Sequence, residues 1–142
     1  VYGYNLGEHG NSQFTAWSQV RIKGQAIADL VPASFLEALA TESIQGGHRV
    51  FYGKKYTNYG IASAAIRLAL AVVADSHEEL PAPVYDQPHD TYLSYPAIVG
   101  RKGILEQVQL NLTEEEEEKL AASANYIKTK FAESLKENRR DQ

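Results

Sequence analysis

The strongest pattern in the chain lies over residues 57–77, where Ile61, Ala65, Leu68 and Val72 recur at spacings of three and four. That period predicts a helix. Ala62, Ala64, Ala69 and Ala71 keep it slim and permit close packing on both sides, so a central position is expected. A second helix is predicted over 33–45, with Phe35, Leu36 and Leu39 as its apolar stripe. Gly46 and Gly47 either end this helix or bend it, and 48–55 reads equally as strand or as continued helix. A third helix is predicted over 113–136, with Leu120, Ala124, Ile127, Phe131 and Leu135 along one face. Thr113 and Glu116 match a capping box. The acidic run 114–118 falls on the positive end of the helix, where anionic side chains are favoured. The segment "KENRRDQ" that closes the sequence is polar and expected to fray.

The period shortens to two elsewhere. Residues 1–6 alternate Val1, Gly3, Asn5 against Tyr2, Tyr4, Leu6, which predicts a short strand ending at Gly7. "GEHG" (7–10) is a loop punctuated by its two glycines. Residues 16–27 are rich in β-formers, with Val20 and Ile22 on one face and Lys23-Gly24 as a turn. "TYLSYPAIVG" and "ILEQVQLN" flank "RKG" and predict two strands joined tightly. Between the helix predicted over 57–77 and this ribbon, 79–90 holds three of the five prolines and is expected to be a loop. There is no internal repeat. The expectation is one α+β domain over 1–142, with three helices and at least two β ribbons.

Composition narrows the function classes. A chain of 142 residues corresponds to about one domain. Its net charge of −4 offers no basic field for nucleic acid. With no cysteine, disulfides and thiolate metal sites are excluded. That absence fits a reducing compartment, and a cytoplasmic protein is expected. No apolar run approaches the roughly 18 to 20 residues of a membrane span, and "VYGYNL" lacks the features of a signal peptide. There is no methionine, so the sequence is either processed or an excerpt of something longer, and the excerpt is the expectation.

One histidine stands apart. His9 lies between Gly7 and Gly10, beside Glu8, and is followed by Asn11, Ser12 and Gln13. Imidazole, with an ordinary pKa of about 6.5, suits proton transfer near neutral pH. The flanking glycines let a ligand approach the backbone closely. His48, His77 and His89 share no spacing, and no metal site is expected. Thr57 opens the strongest helix; it either caps that helix or lines a pocket at its N-terminus. Ile61 is a core residue by default. Asn111-Leu112-Thr113 matches a glycosylation sequon, read here as coincidence, and "EEEEEKL" is a solvated helix start.

"GEHGNSQFTAWSQVRIKG" resembles the active-site histidine segment of the lactate/malate dehydrogenase family, in which lactate-type members carry G-E-H-G-D-S/T with W-S shortly after. "KKYTNYGIASAAIRLALAVVAD" is similar to the family's K-G-Y-T-S helix start. "SYPAIVGRKGILEQVQLNLTEEEEEKL" is similar to its G-x-x-G-I ribbon and acidic C-terminal helix. Three segments in the right order cover nearly the whole chain, and Glu8 favours the lactate-type branch. Asn11 stands where the usual residue is Asp; in that respect the sequence resembles the L-2-hydroxyisocaproate dehydrogenases of lactic bacteria, which reduce larger, branched 2-oxo acids.

The resemblance implies a C-terminal catalytic domain of lactate dehydrogenase type, long helices packed on antiparallel β ribbons. It implies an NAD-dependent L-2-hydroxy-acid dehydrogenase, with His9 the proton donor and acceptor. Thr57 would line the substrate pocket, Ile61 would pack against the nicotinamide, and Asn11 and Ser12 would shape the histidine loop. The partners implied are a 2-oxo acid or L-2-hydroxy acid and further copies of the chain, as a dimer or tetramer. No G-x-G-x-x-G turn occurs, so the family's N-terminal NAD-binding Rossmann domain is absent from these residues. The carboxylate that orients the family's histidine and the arginine that clamps the substrate carboxylate also lie outside the chain. The 142 residues alone are therefore expected to be inactive. Allosteric bacterial members carry a phosphate-binding histidine seven positions before the active-site one; Tyr2 stands there, so activation by fructose bisphosphate is not expected. The competing expectations are a non-catalytic assembly module of the same fold and, more remotely, a hydrolase using His9 with Ser12.

Overall fold

A computed structural model describes residues 1–138. Its elements are β1 (Asn5–Leu6), β2 (Phe14–Thr15), β3 (Arg21–Ile22), β4 (Gln25–Ala26), α1 (Ala33–Lys54), α2 (Asn58–Ala74), β5 (Glu78–Asp86), β6 (Thr91–Gly100), β7 (Gly103–Gln107) and α3 (Glu114–Asn138). Three helices and three antiparallel ribbons give the expected α+β architecture. Of the expected polar tail, 139–142 lie outside the described residues.

The sheet β5-β6-β7 is the base on which the rest is built. Leu80, Ala82 and Val84 of β5 point inward with Leu93, Tyr95 and Ala97 of β6. Leu6, Ala16, and Leu120 and Ala124 of α3 close this core from the other side. The expectation of a loop over 79–90 is corrected: 78–86 is a strand, and only the turn that follows it is irregular. Pro83 sits opposite Ser94 and Pro81 opposite Pro96. The N–H and C=O of Ser94 are both engaged with Gly7, on the far side of β6 from β5. Position 83 therefore owes no ladder donor toward β6, nor does position 81 two residues away. An edge strand tolerates proline at such positions.

α1 runs straight through Gly46 and Gly47 for 22 residues, which settles the ambiguity over 48–55 in favour of helix. It stops where Lys55 turns left-handed at φ 68°. Only Leu36 of this helix is buried, against Val20 and Ile27. The 16–27 segment is extended only in part. A single-turn 3-10 helix occupies Trp17–Gln19, and β3 and β4 form a two-residue hairpin. Lys23 and Gly24 both have positive φ there (51° and 85°), the geometry that a tight hairpin turn demands.

α2 is not central. Ala71 is buried against Leu80 and Val99, with Leu68 and Val72 packed beside them. The remainder is open: Ile61 is 58% exposed and Val73 73%. Small side chains permit close approach but do not supply a partner, and among the described residues no element covers the outer face.

α3 begins with the expected cap. Thr113 Oγ1 accepts the Glu116 N–H at 3.3 Å, and Glu116 Oε2 accepts the Thr113 N–H at 3.0 Å. The same carboxylate reaches across to Ser18, accepting its N–H at 3.0 Å and its hydroxyl at 2.5 Å. Burial pushes the Glu116 carboxyl up, but the donors from Ser18 and Thr113 outweigh it and hold the group below its ordinary range.

Candidate active site

His9 occupies the loop of a short hairpin. Asn5 pairs with Thr15 and Leu6 with Phe14, leaving 7–13 as the connection. The Thr15 hydroxyl donates to Asn5 Oδ1 at 2.6 Å and reinforces the pairing. Leu6 is wholly buried and anchors the hairpin in the core. Immediately after it, Gly7 bridges to β6: its N–H donates to Ser94 O at 3.1 Å and its C=O accepts from Ser94 N at 2.8 Å. Gly7 adopts φ +90°, and a Cβ there would lie 2.5 Å from Ser123 Oγ. Both the conformation and the space call for glycine.

The loop is also held from α3. The Glu8 N–H donates to Ser123 Oγ at 2.8 Å, and Ser123 Oγ lies 2.9 Å from Ser12 Oγ. The Ser12 N–H donates to Glu8 Oε2 at 3.1 Å, and the Ser12 hydroxyl donates to the same oxygen. Glu8, Ser12 and Ser123 thus enclose the turn that carries His9. Ser123 is fully buried. Neither it nor Ser94 was marked by the sequence pattern. Ser123 sits one residue before the apolar stripe position Ala124 and reads there as a tolerated polar residue. The one available signal is that a serine directly beside the buried stripe needs a hydrogen-bond partner.

The His9 side chain is exposed, with open clefts on both sides. One, of about 380 Å³, has His9, Gly7 and Glu8 at one end and Pro81, Pro83, Leu93, Ser94 and Ile127 as largely apolar walls. The other, of about 290 Å³, lies between the loop and α1, and is lined by His9, Asn11, Gln13, Ile44, Gly47 and His48. His9 and Asn11 therefore share a cleft. Thr57 and Ile61 line neither. Thr57 is the N-cap residue of α2, but its side chain makes no cap hydrogen bond. Among the described residues no three His, Cys, Asp or Glu side chains gather as a metal would require, and no helix is long and apolar enough to cross a membrane.

Tyr2, at the position compared above with a phosphate-binding histidine, faces a carboxylate. Its hydroxyl donates to Glu79 Oε1 at 2.6 Å. Burial, then that hydrogen bond and the Glu79 charge, push the phenol up to about 12.

Comparison with known proteins places this arrangement. L-lactate dehydrogenase of Lactobacillus helveticus is 35% identical over 146 residues, covering 96% of this chain and 45% of that protein. L-lactate dehydrogenase 1 of Listeria innocua is 32% identical over 144 residues, covering 96% and 46%. The chain thus spans slightly under half the length of these relatives. Among solved structures, a lactate dehydrogenase from a Medee basin deep-sea metagenome library superposes with a TM-score of 0.85 at 29% identity, covering 90% of this chain and 44% of that one. The malate dehydrogenase of Aeropyrum pernix gives 0.83 at 26% identity, covering 89% and 44%. The family profile "lactate/malate dehydrogenase, alpha/beta C-terminal domain" matches residues 4–138. The chain belongs to the lactate/malate dehydrogenase family, as its C-terminal domain.

Proposed function

We propose that this chain is the substrate-binding half of an NAD-dependent L-2-hydroxy-acid dehydrogenase, with His9 as its proton donor and acceptor. One observation carries the reading. In a domain of this family, an exposed imidazole sits on a loop pinned to both the sheet and α3, with open clefts on either side. A group that must meet a substrate and exchange a proton with it needs that combination of fixed backbone and open access.

The chain's own residues divide the work. His9 gives its proton to the carbonyl oxygen of a 2-oxo acid, and in reverse takes the proton of the 2-hydroxyl. Asn11, on the same cleft, offers an amide for hydrogen bonding where a carboxylate would add negative charge beside the imidazole. Thr57, at the head of α2, and the exposed Ile61 line neither cleft at His9; the family resemblance alone assigns the Thr57 hydroxyl to the substrate pocket and the Ile61 side chain to the nicotinamide face.

The donor set fits only the reacting end of the dinucleotide. Neither cleft at His9 has a lysine or arginine in its lining, so neither grips a pyrophosphate. The Gly-rich turn that would hold it does not occur in the sequence. When bound, the cofactor would supply hydride as NADH to the carbonyl carbon, or accept it as NAD+ in reverse; the protein supplies placement and the proton. The nucleotide-binding lobe, and with it the groups that orient the imidazole and clamp the carboxylate, is provided by chain beyond these residues. The names of the relatives point to lactate as substrate, and Asn11 points to larger, branched acids. The 142 residues alone turn over neither.

The test compares pyruvate with 4-methyl-2-oxopentanoate, following NADH absorbance, for the protein with its nucleotide-binding lobe and for residues 1–142. Turnover only with the lobe, lost on His9→Asn, is expected. Unchanged turnover in His9→Asn would overturn the assignment.

A further inference from the structure

We propose that Ser123, on the opposite end of the sequence from His9, is a positioning residue for its proton transfer; this rests on the role proposed for His9. The inference starts from the direction of each hydrogen bond around the loop. An ionised carboxylate only accepts, so the Ser12 hydroxyl proton is committed to Glu8 Oε2. The Ser12 oxygen is then an acceptor for its other neighbour, and the contact of 2.9 Å between the two serines must be donated by Ser123. Ser123 Oγ in turn accepts the Glu8 N–H at 2.8 Å. The bonds form a closed circuit: Glu8 N–H to Ser123, Ser123 to Ser12, Ser12 to the Glu8 carboxylate. Every hydroxyl in it both gives and receives once.

The circuit has one member outside the loop, and that member is anchored in the core. Ser123 is 0% exposed, within the helix that supplies Leu120 and Ala124 to the core. Without it, Glu8 and Ser12 hold only each other. With it, the residue just before His9 is tied by its backbone to a helix packed into the core, and the residue three after it by its side chain. Gly7 completes the seat, since any side chain there would collide with Ser123. The imbalance between a fixed frame and an exposed ring at its tip is what a proton relay requires. A displacement of about 1 Å at the reacting group costs on the order of a hundredfold in rate. Ser123 touches no reacting atom; it acts through the backbone at Glu8.

The experiment uses the full-length protein. Ser123→Ala should lower kcat about 10- to 100-fold with little change in KM. Amide hydrogen exchange at Glu8 should accelerate while exchange at Leu6 stays slow. Ser12→Ala breaks the same circuit at another point, so the Ser12→Ala/Ser123→Ala double variant should lose little more than Ser123→Ala alone. Ala124→Gly, a destabilising change on the same buried face, should leave kcat within about twofold, as expected of a core change outside the circuit. The proposal is overturned if Ser123→Ala speeds Glu8 exchange yet keeps full kcat, if kcat falls while exchange is unchanged, or if the two serine effects simply multiply. The readings separate cleanly: if His9→Asn keeps activity, the role of His9 fails, whereas the exchange result at Glu8 still tests whether Ser123 holds the loop.

Discussion

The carboxylate of Glu116 binds Ser18 across 98 positions of sequence, accepting both its backbone N–H at 3.0 Å and its hydroxyl at 2.5 Å. The cap of α3 is thereby also a tether between that helix and the segment that follows the histidine hairpin. Because the hydrogen bonds hold its pKa below the ordinary value, the tether adds stability above the unfolded-state pKa of about 4.3. That contribution is lost as pH falls through the lower, folded value. Glu116→Gln removes the charge and should cost about 1.5–3 kcal/mol near neutral pH. Urea unfolding at a series of pH values reads this: the gap between the two proteins should close below about pH 4.3. A gap that stays constant into acid would show that charge is not what the tether uses.

Gly7 and Gly24 provide a matched pair. Both have positive φ, +90° and +85°, but a Cβ at Gly7 would strike Ser123 while one at Gly24 meets nothing within 4 Å. Gly24→Ala should therefore cost only the backbone strain, about 1 kcal/mol. Gly7→Ala adds the collision in the core and should cost about 3 kcal/mol or more. Chemical unfolding of the two variants measures the difference, and equal losses would mean that the loop can retreat from α3.

These cases show what was legible in the sequence and what was not. The capping box at Thr113 and the α3 stripe at Leu120 and Ala124 are local patterns, and the structure follows them; the continuation of that stripe at Phe131 and Leu135 is exposed. His9 stood out because glycines and polar residues crowd its own neighbourhood. The strand 78–86 was obscured because prolines mask it, although Leu80, Ala82 and Val84 keep a strict alternation. Whether a proline owes a ladder donor depends on its partner strand, which local sequence does not contain. Ser123 was illegible for the same reason: its meaning comes from a loop more than a hundred positions away. The central position expected for α2 failed differently. Its alanines describe what could pack on both faces; the sheet covers one, at Ala71, and among the described residues nothing covers the other.

Tyr95 tests the core from the alkaline side. Burial, then the charges of Glu117 and Asp86, raise its phenol to about 12. A phenol whose folded pKa is raised contributes stability below its unfolded value of about 10, and that contribution is lost as pH climbs toward 12. Spectrophotometric titration of phenolate should show Tyr95 ionising late, together with unfolding. Tyr95→Phe should make stability less sensitive to pH above about 10; an unchanged alkaline profile would place the sensitivity elsewhere.

The outer face of α2 presents Ile66, Leu70 and Val73, a stripe at helical spacing in which each side chain is 59–73% exposed. Ala71 and its neighbours bury the opposite face, so the stripe adds little to the stability of this domain. An aliphatic row of that kind in water favours association with any apolar surface. Residues 1–142 in isolation should therefore self-associate with rising concentration. The double variant Leu70→Glu/Val73→Glu should remove that tendency, because two charges cannot be buried in an unpaired apolar contact without a large penalty. The same change should shift the unfolding midpoint little, since neither side chain is in the core. Sedimentation velocity over a concentration series, paired with thermal unfolding, reads both effects. Association that persists in the double variant would assign the contact to another surface, and a large loss of stability would show that the stripe is covered within the domain itself.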